Sequence, residues 1–216
     1  MKIALIVLAV LIVLAVAGTL VFVYVIQNVE QPDYAVITRE GNFEARDYPS
    51  LVVAEVNRGG SRRDGLSAGF GPLARYIFAK ERGGERIAMT APVQQQAVDD
   101  RIAMTAPVTQ SPAADGGWAV RFIMPSEYRL EDLPAPATGD VRLREIPARR
   151  VAAVRFSGRT TDAAIAGQEK RLREWMAEHG MEAAGPPVYA YYNDPFTPGF
   201  LRRNEVMIEV AAPGGP

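Results

Sequence analysis

The sequence predicts an α+β fold: a ββαββ unit present twice, its two copies forming a distorted antiparallel β-barrel with two helices, behind one N-terminal transmembrane helix. Three observations carry this expectation. Phe43–Val56 (FEARDYPSLVVAEV) aligns without a gap to Val141–Val154 (VRLREIPARRVAAV) at an offset of 98 residues, with Pro49 on Pro147, Val53 on Val151 and Val56 on Val154. The octapeptide Arg-Ile-Ala-Met-Thr-Ala-Pro-Val stands at Arg86–Val93 and again, without a mismatch, at Arg101–Val108. Ile3–Ile26 is apolar or small throughout apart from Thr19 and Tyr24.

Taken in order, residues 3–26 as a helix would span roughly 36 Å, enough to cross a ~30 Å hydrocarbon layer. A cleaved signal peptide is the alternative, since Ala15 and Ala17 offer an Ala-x-Ala site. Cutting there would leave Thr19–Ile26 as an exposed apolar stub, so residues 1–30 are read as an uncleaved anchor. Lys2 precedes the span, and Glu30, Asp33, Arg39, Glu40 and Glu44 follow it. The positive-inside rule therefore puts the N-terminus in the cytoplasm of a single-pass inner-membrane protein and the globular domain, residues 34–212, in the periplasm or outside the cell.

Within that domain, each aligned segment is a β run, a proline turn and a second β run, which reads as a hairpin-like pair. A helix follows each pair, at Ser67–Glu81 and at Thr161–His179. The second places Ile165, Gln168, Leu172, Trp175, Met176 and His179 on one face, and Gly180 ends it. Two further β runs close each half: the octapeptide region and Trp118–Met124 in the first, Val188–Tyr192 and Glu205–Val210 in the second. Each octapeptide reads as short and extended, because its proline disfavours helical backbone at the preceding alanine. Gln94–Asp100, Gln110–Gly117 and the proline-rich Glu131–Gly139 read as surface connections.

Composition sets outer bounds on function. The chain has 216 residues, 48% of them hydrophobic, with 24 basic against 25 acidic side chains and no cysteine. Near-neutral charge gives no nucleic-acid footprint, and disulfide or thiolate chemistry is excluded. The solitary histidine excludes a two-histidine metal centre, and no phosphate loop or Gly-x-Ser-x-Gly elbow is present. Thr90 and Thr105 could act as nucleophiles only beside a base, and the sequence shows none. The chain is therefore not expected to be an enzyme.

The doubled IAMTAPV, WAVRFIMPSEY at Trp118–Tyr128, RFSG at Arg155–Gly158 and YYNDPFTPGFLRRNEVMIEV at Tyr191–Val210 resemble the SOUL family of haem-binding proteins. The likeness extends over nearly all of Tyr34–Val210. It implies a monomeric, distorted barrel of eight strands with two long helices, an arrangement also found in the effector-binding domains of some bacterial regulators. It also implies binding of haem or a related tetrapyrrole in a shallow apolar groove beside the first helix and the loop before the last strand.

A haem site requires a flat apolar slot, cations for two propionates and, optionally, an axial ligand. Phe70, Leu73, Ala74, Ile77 and Phe78 recur at helical spacing, with Arg75 and Arg82 close in sequence. By resemblance Arg75 stands where some members pair a propionate, and Tyr192 and Phe200 lie on the groove loop. The same stripe is equally what a core-facing helix shows. Some family members use a histidine ahead of the first helix, and none lies there. His179 is the one candidate metal ligand of its type, with a helix-end cap as the alternative. Met89, Met104 and Met124 are soft ligands or packing residues. Arg202, Arg203 and Asn204 could face an anion, or could order their loop through carbonyls and carboxylates. The expected function is membrane-tethered haem buffering, carriage or transfer. A small-molecule sensor or scaffold on the same barrel, or haem breakdown, are the alternatives.

Overall fold

The computed structural model describes residues 3, 6–7, 10–14, 17–18, 29–80, 82–98, 117–193 and 197–211. It divides into two compact units, Met1–Glu30 and Gln31–Pro216. In the first unit every described residue from 3 to 18 is helical and exposed. Among the described residues no helix is long and apolar enough to cross a membrane. Much of the expected span 3–26 lies outside the described residues.

The second unit is one nine-stranded antiparallel sheet with two main helices. Its strands are β1 (Ala35–Glu40), β2 (Phe43–Tyr48), β3 (Leu51–Arg58), β4 (Val93–Val98), β5 (Gly117–Ile123), β6 (Arg142–Ile146), β7 (Arg149–Phe156), β8 (Val188–Tyr191) and β9 (Asn204–Glu209). The helices are α1 (Arg62–Ile77) and α2 (Asp162–Glu178). The strand order is β1-β2-β7-β9-β8-β4-β5-β3-β6. Exchanging β2 with β6, β3 with β7, β4 with β8 and β5 with β9 maps the pairings among these eight strands onto one another and the β4–β8 pair onto itself. The duplication is therefore structural, with β4 and β8 paired at its centre. The ninth strand, β1, lies outside the repeated units and pairs along β2.

The expected hairpins do not form. β2 pairs with β7 and β6 pairs with β3, so the first strand of each half joins the sheet of the other half. Only Pro49 and Ser50 separate β2 from β3, which stand second and eighth in the order. In a flat sheet six strand spacings would hold them about 29 Å apart, whereas three Cα steps reach at most about 11 Å. The sheet must therefore curl until its ends meet. Tyr48, Leu51, Val53, Ile123, Ile146, Val151, Ala153, Ala190 and Met207 accordingly pack into a single cluster on its inner face. The ladder order nevertheless runs from β1 to β6 without joining them, so the expected barrel is a curled, open sheet.

Each helix covers one outer face. Leu73, Tyr76 and Ile77 of α1 pack on Ala54, Val56, Val120 and Phe122. Ile165, Leu172, Trp175 and Met176 of α2 pack on Ala45, Ala152, Val154, Val206 and Ile208. The first helix starts five residues before its expected position. Ser61 caps it by accepting from the Asp64 amide at 3.2 Å, and the glycine-rich first turns are required by packing. A Cβ on Gly65 would stand 2.9 Å from the Trp118 ring, and one on Gly69 would stand 2.7 Å from Val120. The second helix runs one residue short of its expected limits at each end, with Thr161 as N-cap and His179 as C-cap. Gly180 follows at φ +66, the left-handed conformation that glycine tolerates best.

Gln94–Val98, expected to be a surface loop, is strand β4, and its Gln94 and Gln95 are 3% and 0% exposed. A buried glutamine is tolerated where its amide finds partners. The Gln95 amide donates to the Arg62 carbonyl at 2.6 Å and accepts from the Tyr191 hydroxyl at 3.3 Å. The first octapeptide is irregular up to its cis Ala91–Pro92 bond, and only Val93 belongs to a strand. The second octapeptide, with Met104 and Thr105, lies outside the described residues, as do residues 110–116 of the expected loop before β5.

Glycine substitutions should separate packing from helix propensity. Gly69→Ala gains about 1 kcal/mol of propensity, but a backbone-fixed methyl overlapping Val120 costs about 1–3 kcal/mol, so urea denaturation should show net destabilisation. Gly167 of α2 has open space around it, and Gly167→Ala should stabilise by about 0.4–1 kcal/mol.

Candidate functional site

The residues expected to line one groove fall into three places. Leu73 and Ile77 are 0% and 1% exposed and belong to the core under α1. Sealed against β3 and β5, their side chains do not reach an outer surface, which corrects their assignment to a groove wall. Phe70 and Phe78 are 40% and 38% exposed. With half-buried Leu66 and Ala74 they form a line at four-residue spacing, one turn after another along the outer side of α1. Phe70 is braced edge-on against Phe122, ring centres 5.2 Å apart. Arg75 is exposed in the last turn of the same helix.

The cations near this stripe are not equivalent. Arg82 donates to the carbonyls of Tyr76, Gly83 and Glu85 at 2.9, 3.0 and 2.9 Å and so ties down the C-terminal end of α1. A cleft beside it, lined by Pro72, Tyr76, Pro136 and Val141, holds about 10 Å³. That is room for about one water. That cleft is too small for a macrocycle.

The loop before β9 is tied to the start of α1 through a chain of hydrogen bonds. The Gly158 amide donates to Gly199 at 2.8 Å, and Arg62 donates to the Thr160 carbonyl at 2.6 Å. Phe200, in a short 3₁₀ turn at Gly199–Leu201, is 79% exposed. The polar residues behind it order the loop. Arg202 donates to the Thr197 carbonyl at 2.7 Å, and Asn204 to the Gly158 carbonyl at 3.3 Å.

Tyr192 is not beside α1. It packs on the inner face of the sheet, where its hydroxyl donates to Glu205 at 2.9 Å and the Arg203 guanidinium lies 3.9 Å over its ring. Glu205, whose side chain is wholly buried, also accepts from Arg46 at 2.7 and 3.1 Å and from Arg203 at 2.8 and 3.0 Å. Burial alone would raise the Glu205 carboxyl, but the hydrogen bonds and charges of Arg46 and Arg203 outweigh it and hold the group below its ordinary range. Burial, reinforced by the Glu205 charge, pushes the Tyr192 phenol well above its ordinary range. A phenolate ligand for iron is therefore disfavoured at this position.

His179 sits at the end of α2, its ring 4.5 Å from that of Trp175. Nδ1 lies 2.9 Å from the Trp175 carbonyl, a contact in which the nitrogen donates, and Nε2 lies 3.5 Å from Glu40. The Trp175 indole donates to the same Glu40 at 2.8 Å. Nδ1 thus serves the helix end, as the capping alternative has it, while Nε2 faces Glu40 at the end of β1. Among the described residues no group of three His, Cys, Asp or Glu could hold a metal ion. Met89 and Met124 pack in the core under α1, and the Thr90 hydroxyl donates to the Ile123 carbonyl at 2.5 Å.

The duplicated α+β architecture is shared with known structures. The chain superposes on the crystal structure of the EcmrR C-terminal domain with a TM-score of 0.55 at 12% identity, covering 82% of this chain and 98% of that one. Against a hydrolase from Listeria innocua the TM-score is 0.53 at 13% identity, covering 81% and 94%. Against EcmrR in a complex with DNA it is 0.57 at 12% identity, covering 80% of this chain but 59% of the longer EcmrR chain. These likenesses show the fold. No curated protein sequence matches. Residues 29–209 match the family model described as SOUL heme-binding protein, and the chain belongs to that family.

The buried carboxylate should set the acid limit of stability. A carboxyl depressed on folding stabilises fully above its unfolded value, about 4.3, and that contribution is lost as pH falls through the folded value. Urea midpoints should therefore fall as pH drops below about 4.3, with a shallower fall in Glu205→Gln. Arg46→Met strands the buried charge and should cost about 3–5 kcal/mol at neutral pH.

Proposed function

We propose that this protein is a membrane-anchored tetrapyrrole carrier that receives haem on the outer side of α1 and passes it on without turnover. One observation carries the reading: a family that binds haem presents here a line of half-exposed aromatic residues, Phe70 and Phe78, on the helix that the resemblance assigns to the ligand. Soluble domains bury most large aromatics, so two on one helix face with a cation to one side of their line suit a flat apolar guest bearing carboxylates.

Phe70, Ala74 and Phe78 would contact the macrocycle, Phe200 would flank it and Arg75 would pair a propionate. Haem would supply its iron and conjugated ring. The chain's own residues supply an apolar surface and a charge, with neither Tyr192 nor His179 free to act as a strong axial ligand. Weak iron coordination suits a protein that must release its cargo. Anchoring is supported by the exposure of the apolar helical residues described near the N-terminus, among them Ile3 at 78% and Leu11 at 58%. By the charge distribution around residues 3–26, the globular domain would lie outside the cytoplasm.

Haemin titrated into the full-length protein in detergent should shift and sharpen the Soret band with a low-micromolar midpoint. Phe70→Asp, Phe78→Asp and Arg75→Glu should each raise that midpoint, the first two at least ten-fold, while Leu130→Asp, at an exposed position elsewhere, should not. An unchanged Soret band, or stripe variants that bind like the parent, would overturn the assignment.

A further inference from the structure

The two ends of the duplicated interior are not alike. The alignment that places Arg46 on Arg144 also places Leu51 on Arg149. Leu51 packs in the inner cluster, 8% exposed. Arg149 points a guanidinium from the same position toward a cavity of about 220 Å³ on the inner side of the sheet. Its nearest partners are Glu209 at 3.7 Å and the Pro147 carbonyl at 3.5 Å, few and long for a group with five N–H donors.

Two more arginines line the same cavity. Arg121 donates to Glu55 and, at 2.8 Å, to Gln96, and Arg144 donates to Glu55 at 2.9 and 3.1 Å. Glu209 stands at the rim, its side chain half exposed. Three guanidiniums thus face two carboxylates, Glu55 and Glu209, leaving one positive charge in excess. Burial pulls both Arg121 and Arg149 below the ordinary arginine range. At the other end, Arg46 and Arg203 share Glu205 in bidentate pairs and Arg46 also donates to Glu44 at 2.6 Å, so both guanidiniums there have close carboxylate partners.

A second, independent observation lies in the same wall. Gln94 lines the cavity, is 3% exposed, and its carbonyl oxygen is buried with no hydrogen-bond partner. An orphaned buried acceptor is costly and rare in native proteins. It asks for a donor from whatever enters the cavity.

We propose that the cavity at Arg149 and Gln94 is a binding site for a small organic anion that carries a hydroxyl or amino donor, a hydroxycarboxylate being the simplest case. Its carboxylate would take the fork of Arg149, with Arg144 and Arg121 supplying field, and its donor would satisfy Gln94. The volume falls below the 300–1,000 Å³ common for drug-sized ligands, so the ligand is a small acid, and haem does not fit. This site is separate from the outer face of α1, and either assignment can fail without the other.

Isothermal titration of the full-length protein with L-malate, succinate and inorganic phosphate tests the site. Malate should bind saturably at one per chain, and succinate, which lacks the hydroxyl, about ten-fold more weakly. Arg149→Leu, which restores the residue type of the equivalent position, should weaken malate at least ten-fold while leaving the melting temperature unchanged or raised. Gln94→Met should make malate and succinate equal. No saturable heat from malate up to about 10 mM, phosphate binding as tightly as malate, or an Arg149→Leu variant that binds malate normally would each overturn the proposal.

Discussion

Two connections of two residues each, Pro49–Ser50 and Pro147–Ala148, constrain everything else in this fold. Each is too short to span a flat nine-stranded sheet, and each joins two strands of one repeat that lie in opposite halves of the sheet. Proline at the first position fixes φ and donates no hydrogen bond, so the chain leaves one ladder and enters another. The halves are consequently interlocked: β2 cannot leave its place beside β7 without pulling β3 from β6. Neither half would keep its sheet intact alone.

Curling divides the domain into an inner layer and two outer ones. The outer layers are ordinary hydrophobic cores in which α1 and α2 cover the convex faces. The close approach of α1 at Gly65 and Gly69 turns Leu73 and Ile77 fully inward and leaves the line through Phe70, Ala74 and Phe78 outside. The inner layer is different in kind. Period-two alternation points Arg46, Tyr48, Glu205, Gln94, Arg121 and Arg149 inward, so this layer mixes apolar packing with buried charge. At one end two guanidiniums close tightly on Glu205, and at the other the arginines line a cavity. The two candidate ligand surfaces thus follow from the same curl, one on its outside and one within.

Much of this was legible in the sequence. The repeat at an offset of 98, both prolines and both helices follow from pattern alone, as does the family from its separated motifs. Strand partners were not legible, because alternation states which residues share a face and is silent on which strand lies alongside. The hairpin expectation failed there. β4 was hidden because Val-Gln-Gln-Gln reads as polar, and its burial depends on partners supplied by Arg62 and Tyr191 from distant segments. β1 was hidden because most of its residues are exposed and carry no alternation. Among the site residues, helical spacing grouped Phe70, Leu73, Ala74, Ile77 and Phe78 without showing that the helix rolls two of them under. Tyr192 was placed by resemblance on the groove loop, whereas its pairing with Glu205 draws it to the inner face. The substitution of Leu51 by Arg149 between the aligned halves was the one signal of the interior cavity, and it was visible in the repeat itself.

The central claim is that tetrapyrrole rests on the exposed line of α1 rather than inside the curled sheet. Haem iron broadens nearby amide signals, so a ¹H–¹⁵N spectrum of the protein with substoichiometric haemin locates the ring directly. The account predicts broadening centred on Leu66, Phe70, Ala74 and Phe78, with Tyr192, Glu205 and Gln94 spared. Broadening centred on those three inner residues, or spread evenly over the domain, would contradict it.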